Sequence, residues 1–483
     1  MKTKQDIINW LDENQQAFNQ IADFIWENPE TAYKEFKSSK IQANALEKYG
    51  FKVIWDIGGI NTAFVAEWGE GKPIFGFLGE YDALAGLSQK KQPEQEPVVP
   101  GGPGHGCGHN LLGTGGLAAA VAVRYWLEST GTKGTVRYYG CPAEEVLSGK
   151  TFMARAGAFD DLDAAFNYHP GSTNSVSKGS NVGLTDIKFR FHGRTSHAGG
   201  APHLGRSALD AVELMNVGVN YLREHVTSNV RIHYAITHGG DLPNVVPAEA
   251  EVWYFIRAHK PDEMDEVVNR VRKIADGAAM MTETTVEEIF QGACSFTLNN
   301  HYMADLQYEI MQSLGPLEFT QEEMEYGRKL NAAFPPAYFE RAIEHIKLPE
   351  DLAYLKEELK DKPLWGVNFP PMDENEIYTG STDVGDVSQI TPLAEAHTAC
   401  WPVAVPGHSW GVVAGCGTSI GHKGMLHAAK TMAIAAMEMY TNPEHLAKAR
   451  QEFEDATRDQ PYHCPIPDYV QPPHFANPER PGK

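Results

Sequence analysis

The order of predicted elements between residues 181 and 298 constrains this chain more than any other feature. A strand-like run, GLTDIKFRFHG, precedes a helical run, SALDAVELMNVGVNYLREH, and two strand-like runs follow, RIHYAITHGG and AEAEVWYFIRA. A second helical run, PDEMDEVVNRVRKIADGAAMMT, and a last strand, TTVEEIFQG, complete the set. That β-α-β-β-α-β order is the plan of a small two-layer α+β unit of the ferredoxin-like kind. Before it, helical patterns such as IINWLDENQQAFNQIADFIWEN and KIQANALEKYGF alternate with the short strand-like runs PIFGFLGEY, TVRYYGCP and AAFNYHP. Such alternation predicts an α/β domain with a mostly parallel central sheet. The pattern resumes with HTACWPVAVPGHSW and a long helix, HKGMLHAAKTMAIAAMEMYT. The expectation is therefore one α/β domain in two parts, 1–180 and 299–483, interrupted by an inserted domain at 181–298. The segment 300–375, with helical stretches such as EDLAYLKEELKD, has no assigned role, and the proline-rich tail 465–483 excludes a helix.

At 483 residues the chain is long enough for two or three domains. A formal net charge of −22 argues against nucleic acid or an anionic membrane as partner. The longest apolar run, GLAAAVAV at 116–123, stops at Arg124 and is too short to span a bilayer. Six scattered cysteines do not make a disulfide framework, and MKTKQDIINWLDENQQ carries no apolar signal core. Both point to a reducing, cytoplasmic setting.

Four short segments carry groups able to ligate metal: Cys107 and His109 in GHGCGHN, Glu144 and Glu145 in CPAEE, His169 in NYHP, and His408 in PGHSW. Each follows a predicted strand or the long loop after one. In an open α/β sheet the loops at the carboxyl ends of strands gather at one edge, where ligands bind. A thiolate and an imidazole suit a borderline-soft cation, and the glycines around them let the backbone wrap closely. Five protein ligands exceed one open tetrahedron, which predicts two metals sharing a bridge. Adjacent carboxylates make sense if one is pinned by metal and the other acts as general base. Taken singly, each segment also has an ordinary structural reading; their joint placement at one edge favours the site. The inserted domain has a second constellation, HGRTSHAGGAPHLGRSALDA, with His197, His203 and Arg206 ahead of a helix, and Asn244 in DLPNVVP. His197 is a candidate donor to an oxyanion, while Arg206 and Asn244 are candidate grips on a carboxylate.

HGCGHN, PAEE, NYHP, GRTSHAG, PNVVPAEAEV and STDVGDVS occur in an order that resembles the aminoacylase and carboxypeptidase G superfamily of two-metal amidohydrolases. LGEYDALAGLSQ, APHLGRSALDA, HKGMLHAAKTMA and QPYHCPIP narrow the resemblance to its p-aminobenzoyl-glutamate-cleaving branch. The resemblance implies a zinc-peptidase-like catalytic domain and hydrolysis of the amide bond of an N-acyl amino acid. It implies two divalent ions, zinc or manganese, held by Cys107, His109, Glu145, His169 and His408, with Glu144 as general base. Asp82 would orient a ligand from behind. His197 would reach a partner's site through a dimerising lid, with Arg206 and Asn244 on the substrate carboxylate. The partner is a second copy or a paralogous subunit. Two positions depart from the pattern: Glu80 stands where many relatives have a metal-binding histidine, and Thr382 stands where others have glutamate. The second leaves Asp383 and Asp386 without settled roles. Other readings stay open, namely an amidohydrolase or dipeptidase of different specificity, a catalytically silent partner subunit, and a thiol enzyme built on Cys107.

Overall fold

The computed structural model describes residues 2–480. Its strands are, in order, β1 (Lys52–Trp55), β2 (Phe64–Glu70), β3 (Ile74–Glu80), β4 (Gly134–Cys141), β5 (Ala164–Gly171), β6 (Ser175–Val176) and β7 (Ser180–Asn181). Then come β8 (Gly183–His192), β9 (Arg231–His238), β10 (Glu249–Ala258), β11 (Thr285–Cys294), β12 (Ile377–Tyr378) and β13 (Leu393–Ala399). Seven of them form one sheet in the order β1-β2-β4-β3-β5-β13-β6. Its centre, β4-β3-β5-β13, is parallel, and the flanking ladders β1–β2, β2–β4 and β13–β6 are antiparallel. The expected parallel core is there, and the β1–β2 hairpin, which the periodicity does not mark, extends it. β1 is four residues long and half-exposed, too short for alternation to reveal it.

Helices α1 (Lys4–Glu27), α2 (Phe36–Lys48), α3 (His109–Thr130) and α4 (Gly149–Arg155) belong to the first part of the chain. Thr3 starts α1 with a capping box, its side chain on the Asp6 N–H and the Asp6 carboxylate on the Thr3 N–H. α3 is buried along nearly its whole length, which is why its apolar residues run all round rather than along one stripe.

The inserted unit carries β8, β9, β10 and β11 with helices α5 (Ala208–Leu222) and α6 (Pro261–Thr282). Its sheet is antiparallel, ordered β11-β8-β10-β9, so β-α-β-β-α-β is realised as a ferredoxin-like sheet. It has a core of its own, with Phe189, Phe191, Val212, Met215, Val252, Tyr254 and Val271 buried against one another.

The second part continues with α7 (His301–Leu314), α8 (Gln321–Ala332), α9 (Pro336–His345) and α10 (Leu355–Leu359). It ends with α11 (Val384–Ser388), α12 (Trp410–Cys416), α13 (Ser419–Thr441) and α14 (Pro443–Thr457). The segment 300–375 is not uniform. α7 packs Met303, Leu306 and Ile310 into the main core, whereas Leu355, Leu359, Trp365, Phe369 and Val403 make a small separate cluster. EDLAYLKEELKD, expected as one helical stretch, is a 3-10 turn at Glu350–Leu352 followed by the short α10. Phe334 from this segment stacks on Trp410, ring centroids 5.0 Å apart. The tail from 458 to 480 has no helix and runs back across the body. Tyr462 donates to Asp386, Arg155 donates to the carbonyls of Pro467 and Val470, and Arg480 forks onto Asp56.

Candidate metal centre and active site

The carboxyl ends of the parallel strands converge on one cluster. β3 ends at Glu80, with Asp82 just beyond; β4 ends at Cys141, before the 3-10 turn Glu144–Val146. β5 carries His169, and the chain after β13 leads to His408. α3 begins at His109, directly after the loop that holds Cys107. Gly108 makes that tight turn possible: its φ is +78°, and a Cβ there would lie 3.0 Å from Pro170. His408 also has a left-handed backbone (φ 54°) and donates its N–H to the Gly106 carbonyl at 3.0 Å, which ties the two loops together.

Three overlapping triads bring their ligand atoms within 4.8 Å of one another: Cys107, His109 and His169; Cys107, Glu145 and His408; and Glu80, His109 and Glu144. The Cys107 Sγ to His169 Nε2 distance is 3.3 Å, and His408 Nε2 lies 3.6 Å from Glu145. Glu144 stands 3.8 Å from His109 Nε2, and Glu80 stands 3.2 Å from it.

Both inner histidines have their tautomers set from behind. His109 Nδ1 donates to the Asp82 carboxylate at 3.0 Å, and His169 Nδ1 donates to the Pro170 carbonyl at 2.8 Å. Each ring is thereby left with an Nε2 lone pair aimed into the cluster. Asp82 also accepts from the Glu145 N–H at 2.8 Å, so one carboxylate orients two members. The buried atoms His109 Nε2, Glu80 Oε2 and Glu145 Oε1 have no hydrogen-bond partner. Buried polar atoms are otherwise nearly always paired, and nitrogen and oxygen donors left open beside a thiol suit divalent cations.

Burial dominates the electrostatics of the cluster. Burial, then the neighbouring Glu80 and Asp383 carboxylates, push Glu144 well above the usual carboxylate range. Burial also lifts Glu145 to about 7. The protein around the half-buried Cys107 raises its thiol to about 12, with desolvation as the chief cause. Burial lowers His169 and His408. For His109 burial works against the charge, but the bond to Asp82 outweighs it and holds the ring well above its ordinary value.

Several residues here carry no mark in the sequence. Lys150 is fully buried, its ammonium 2.6 Å from Glu80 and 2.5 Å from Asp383, and its N–H also reaches Asp383. Burial opposes that charge, yet Asp383 and Glu80 outweigh it and raise the lysine further. The link explains how an acidic Glu80 is tolerated, and gives Asp383 a partner; Asp386 instead accepts from Thr151, Ser295 and Tyr462. A lysine five residues after a paired glutamate is the available signal. His397 is in register with His169 on the adjacent strand, rings 6.1 Å apart, and meets Ser177 at 2.9 Å. His105, from the same loop as Cys107, turns away and meets the Ile25 carbonyl.

The lid residues do not join this cluster within one chain. His197 is exposed and paired through its backbone with Val245, and Ala198 donates to the Asn244 carbonyl. Arg206 is engaged with Glu283 at 2.7 Å. His203 is exposed in the 3-10 turn Pro202–Leu204.

Residues 180–280 match the model of a peptidase dimerisation domain of the M20 family. Over 476 residues the chain is 44% identical to one of the subunits of p-aminobenzoyl-glutamate hydrolase from Escherichia coli, covering 97% of this chain and 99% of that one. The chain belongs to the M20 family. Another relative, Xaa-Arg dipeptidase of Mus musculus, is 27% identical over 92% of this chain and 90% of its own. A Bacillus subtilis structure described as a dinuclear metal-binding peptidase from the M20 family superposes with TM-score 0.53 at 16% identity, covering 88% of this chain and 98% of that one. The matched residues 180–280 cover most of the ferredoxin-like insert. Among the described residues no helix is long and apolar enough to cross a membrane, and all six cysteines are free.

Proposed function

We propose that this chain is a metal-dependent amidohydrolase that cleaves p-aminobenzoyl-glutamate to p-aminobenzoate and glutamate. The convergence of Cys107, His109, Glu145, His169 and His408 beside Glu144 carries the chemistry. The near full-length identity to the E. coli protein carries the substrate.

Those five residues would hold two divalent cations, and the thiolate favours zinc over manganese. When bound, the pair supplies Lewis-acid polarisation of the scissile carbonyl and acidifies water. Glu144 takes a proton from the attacking water and passes it to the leaving amine of glutamate. Asp82 keeps His109 in the tautomer that presents Nε2 and fixes the backbone of Glu145. His197, supplied by the lid of a partner, donates to the oxygen of the tetrahedral intermediate, and Arg206 and Asn244 hold the substrate α-carboxylate. For this Arg206 must exchange Glu283 for substrate; the pair is surface-exposed and weak, so the exchange costs little. Residues 1–180 and 299–483 form the catalytic body in this reading, and 181–298 the lid. The E. coli hydrolase is named as two distinct subunits, and this chain is related to both, which supports pairing of the lid with a paralogous chain.

The deciding experiment is an assay of the purified full-length chain, loaded with zinc or manganese, against p-aminobenzoyl-glutamate and Xaa-Arg dipeptides. Release of p-aminobenzoate is expected. Turnover of the dipeptides alone would replace the substrate assignment, and no turnover with either metal, with or without a paralogous partner, would remove the enzymatic one.

A further inference from the structure

Glu144 and Glu145 are neighbours in sequence, yet their carboxylates serve different parts of the cluster. Glu144 faces His109, and Glu145 faces His408. A regular strand would send them to opposite faces of a sheet rather than to two parts of one cluster. The division depends on a turn bounded by two residues in the left-handed region, Ala143 (φ 60°, ψ 36°) and Leu147 (φ 54°, ψ 43°), neither of them glycine. Left-handed backbone is unfavourable for residues with a Cβ and persists only where the surroundings enforce it.

Glu35 is hydrogen-bonded to the start of that turn. It lies in the connection between α1 and α2, far from every motif that marks the site, and is 0% exposed. One carboxylate oxygen accepts from the Ala143 N–H at 3.0 Å and from the Tyr33 N–H at 2.7 Å. The other accepts from the Thr62 hydroxyl at 2.9 Å. Tyr33 is itself left-handed (φ 63°), and its hydroxyl meets Ser148 at 2.6 Å, just past the other end of the turn. The same connection reaches the Asp82 loop, where Ala83 donates to the Glu30 carbonyl at 2.8 Å. A buried carboxylate with three donors is an expensive group to keep inside a protein unless its bonds matter. Here two of its three bonds end on left-handed residues.

We infer that Glu35 is a positioning residue: its buried carboxylate holds the Ala143–Leu147 turn in the shape that sends Glu144 and Glu145 to separate tasks. The inference rests on the proposed function for what those tasks are. Glu35 bonds to the turn rather than to any of the five proposed ligands.

The test uses full-length protein, wild type and the variants Glu35→Ala, Glu35→Gln and Glu35→Ala/Ala143→Gly. Each is loaded with cobalt(II) and read by its visible absorption spectrum as well as by kcat and KM. Displacing a reacting group by about 1 Å can cost about 100-fold, so Glu35→Ala is expected to lower kcat by about that factor with KM little changed. Its cobalt spectrum is expected to change, because Glu145 moves with the turn. Glu35→Gln keeps an oxygen for both N–H donors and is expected to recover most of the loss. Glycine at 143 adopts the left-handed shape unaided, so the double variant is expected to recover part of it. If Glu35→Ala fails to fold, Glu35→Asp, one methylene shorter, takes its place with the same readouts. A variant with a lowered melting temperature but wild-type kcat and cobalt spectrum would overturn the inference and leave the proposed function standing. A wild-type chain that binds cobalt but hydrolyses nothing would sink the function, and the spectra would still decide for or against Glu35. Wild-type protein that takes up no cobalt would sink both.

Discussion

Cys107 Sγ and His169 Nε2 lie 3.3 Å apart across 62 residues of sequence. Neither group needs the other as a hydrogen-bond partner: His169 already donates through Nδ1, and a thiol is a weak donor. Their approach, with three unpaired buried atoms beside them, makes sense as a preformed cation site. Occupancy should therefore be a large part of stability. Chelation is expected to lower the melting temperature, and zinc or manganese to restore it. Ligand at 100 times its Kd stabilises by about 3 kcal/mol. Differential scanning calorimetry with EDTA and metal add-back measures this; a melting temperature indifferent to both would count against the site.

Glu144→Gln removes the base and keeps the shape. Loss of a general base typically costs about 100- to 10,000-fold, and kcat should fall within that range. Metal content, measured by plasma mass spectrometry, should stay at the wild-type level, because Glu144 is not among the five proposed ligands. Normal turnover in this variant would remove the proposed base.

Lys150→Met should destabilise the fold rather than only slow the reaction. It leaves Glu80 and Asp383, both buried, without their shared cation. Breaking a buried ion pair by removing one partner costs about 3–5 kcal/mol. Urea unfolding of wild type and variant, both metal-loaded, gives the difference; a change below about 1 kcal/mol, the worth of a surface pair, would contradict the geometry.

A pH dependence is built into the inserted unit. Asp186 on β8 is buried beside Trp253, whose indole N–H it accepts, and burial raises it to about 7. Its folded pKa lies above the unfolded value, so its contribution to stability is full below about pH 4 and is lost as pH rises through about 7. A shift of that size corresponds to at most about 4 kcal/mol. Asp186→Asn should therefore gain stability relative to wild type between pH 5 and pH 8, measured by urea unfolding at the two values. Parallel curves would dismiss the effect.

The inserted unit and the parallel core could be read from the sequence because both rest on local periodicity. α6 occupies Pro261–Thr282, the run that the pattern marks, because its apolar stripe and leading proline are local signals. The segments that meet in the cluster stood out because glycine spacing and paired carboxylates are unusual in themselves. Glu35, Lys150 and His397 were not. Each is an ordinary residue in an ordinary run, and meets a decisive partner more than 60 positions away. Arg206 shows the opposite limit: its neighbourhood marked it as a grip, while the folded chain pairs it with Glu283, 77 residues on.

β13 lies between β5 and β6 in the sheet, although the whole ferredoxin-like unit separates it from them along the chain. A ribosome therefore releases Cys107, His109 and His169 long before the strand that completes their sheet, and His408 later still. At about 5–20 residues per second the interval is on the order of tens of seconds. During that time the emerging polypeptide displays a thiol and imidazoles without the cage that selects their ion. If those residues are the ligands proposed above, metallation follows translation, and a truncation anywhere before residue 408 would leave the vessel half-built rather than yield a weaker catalyst.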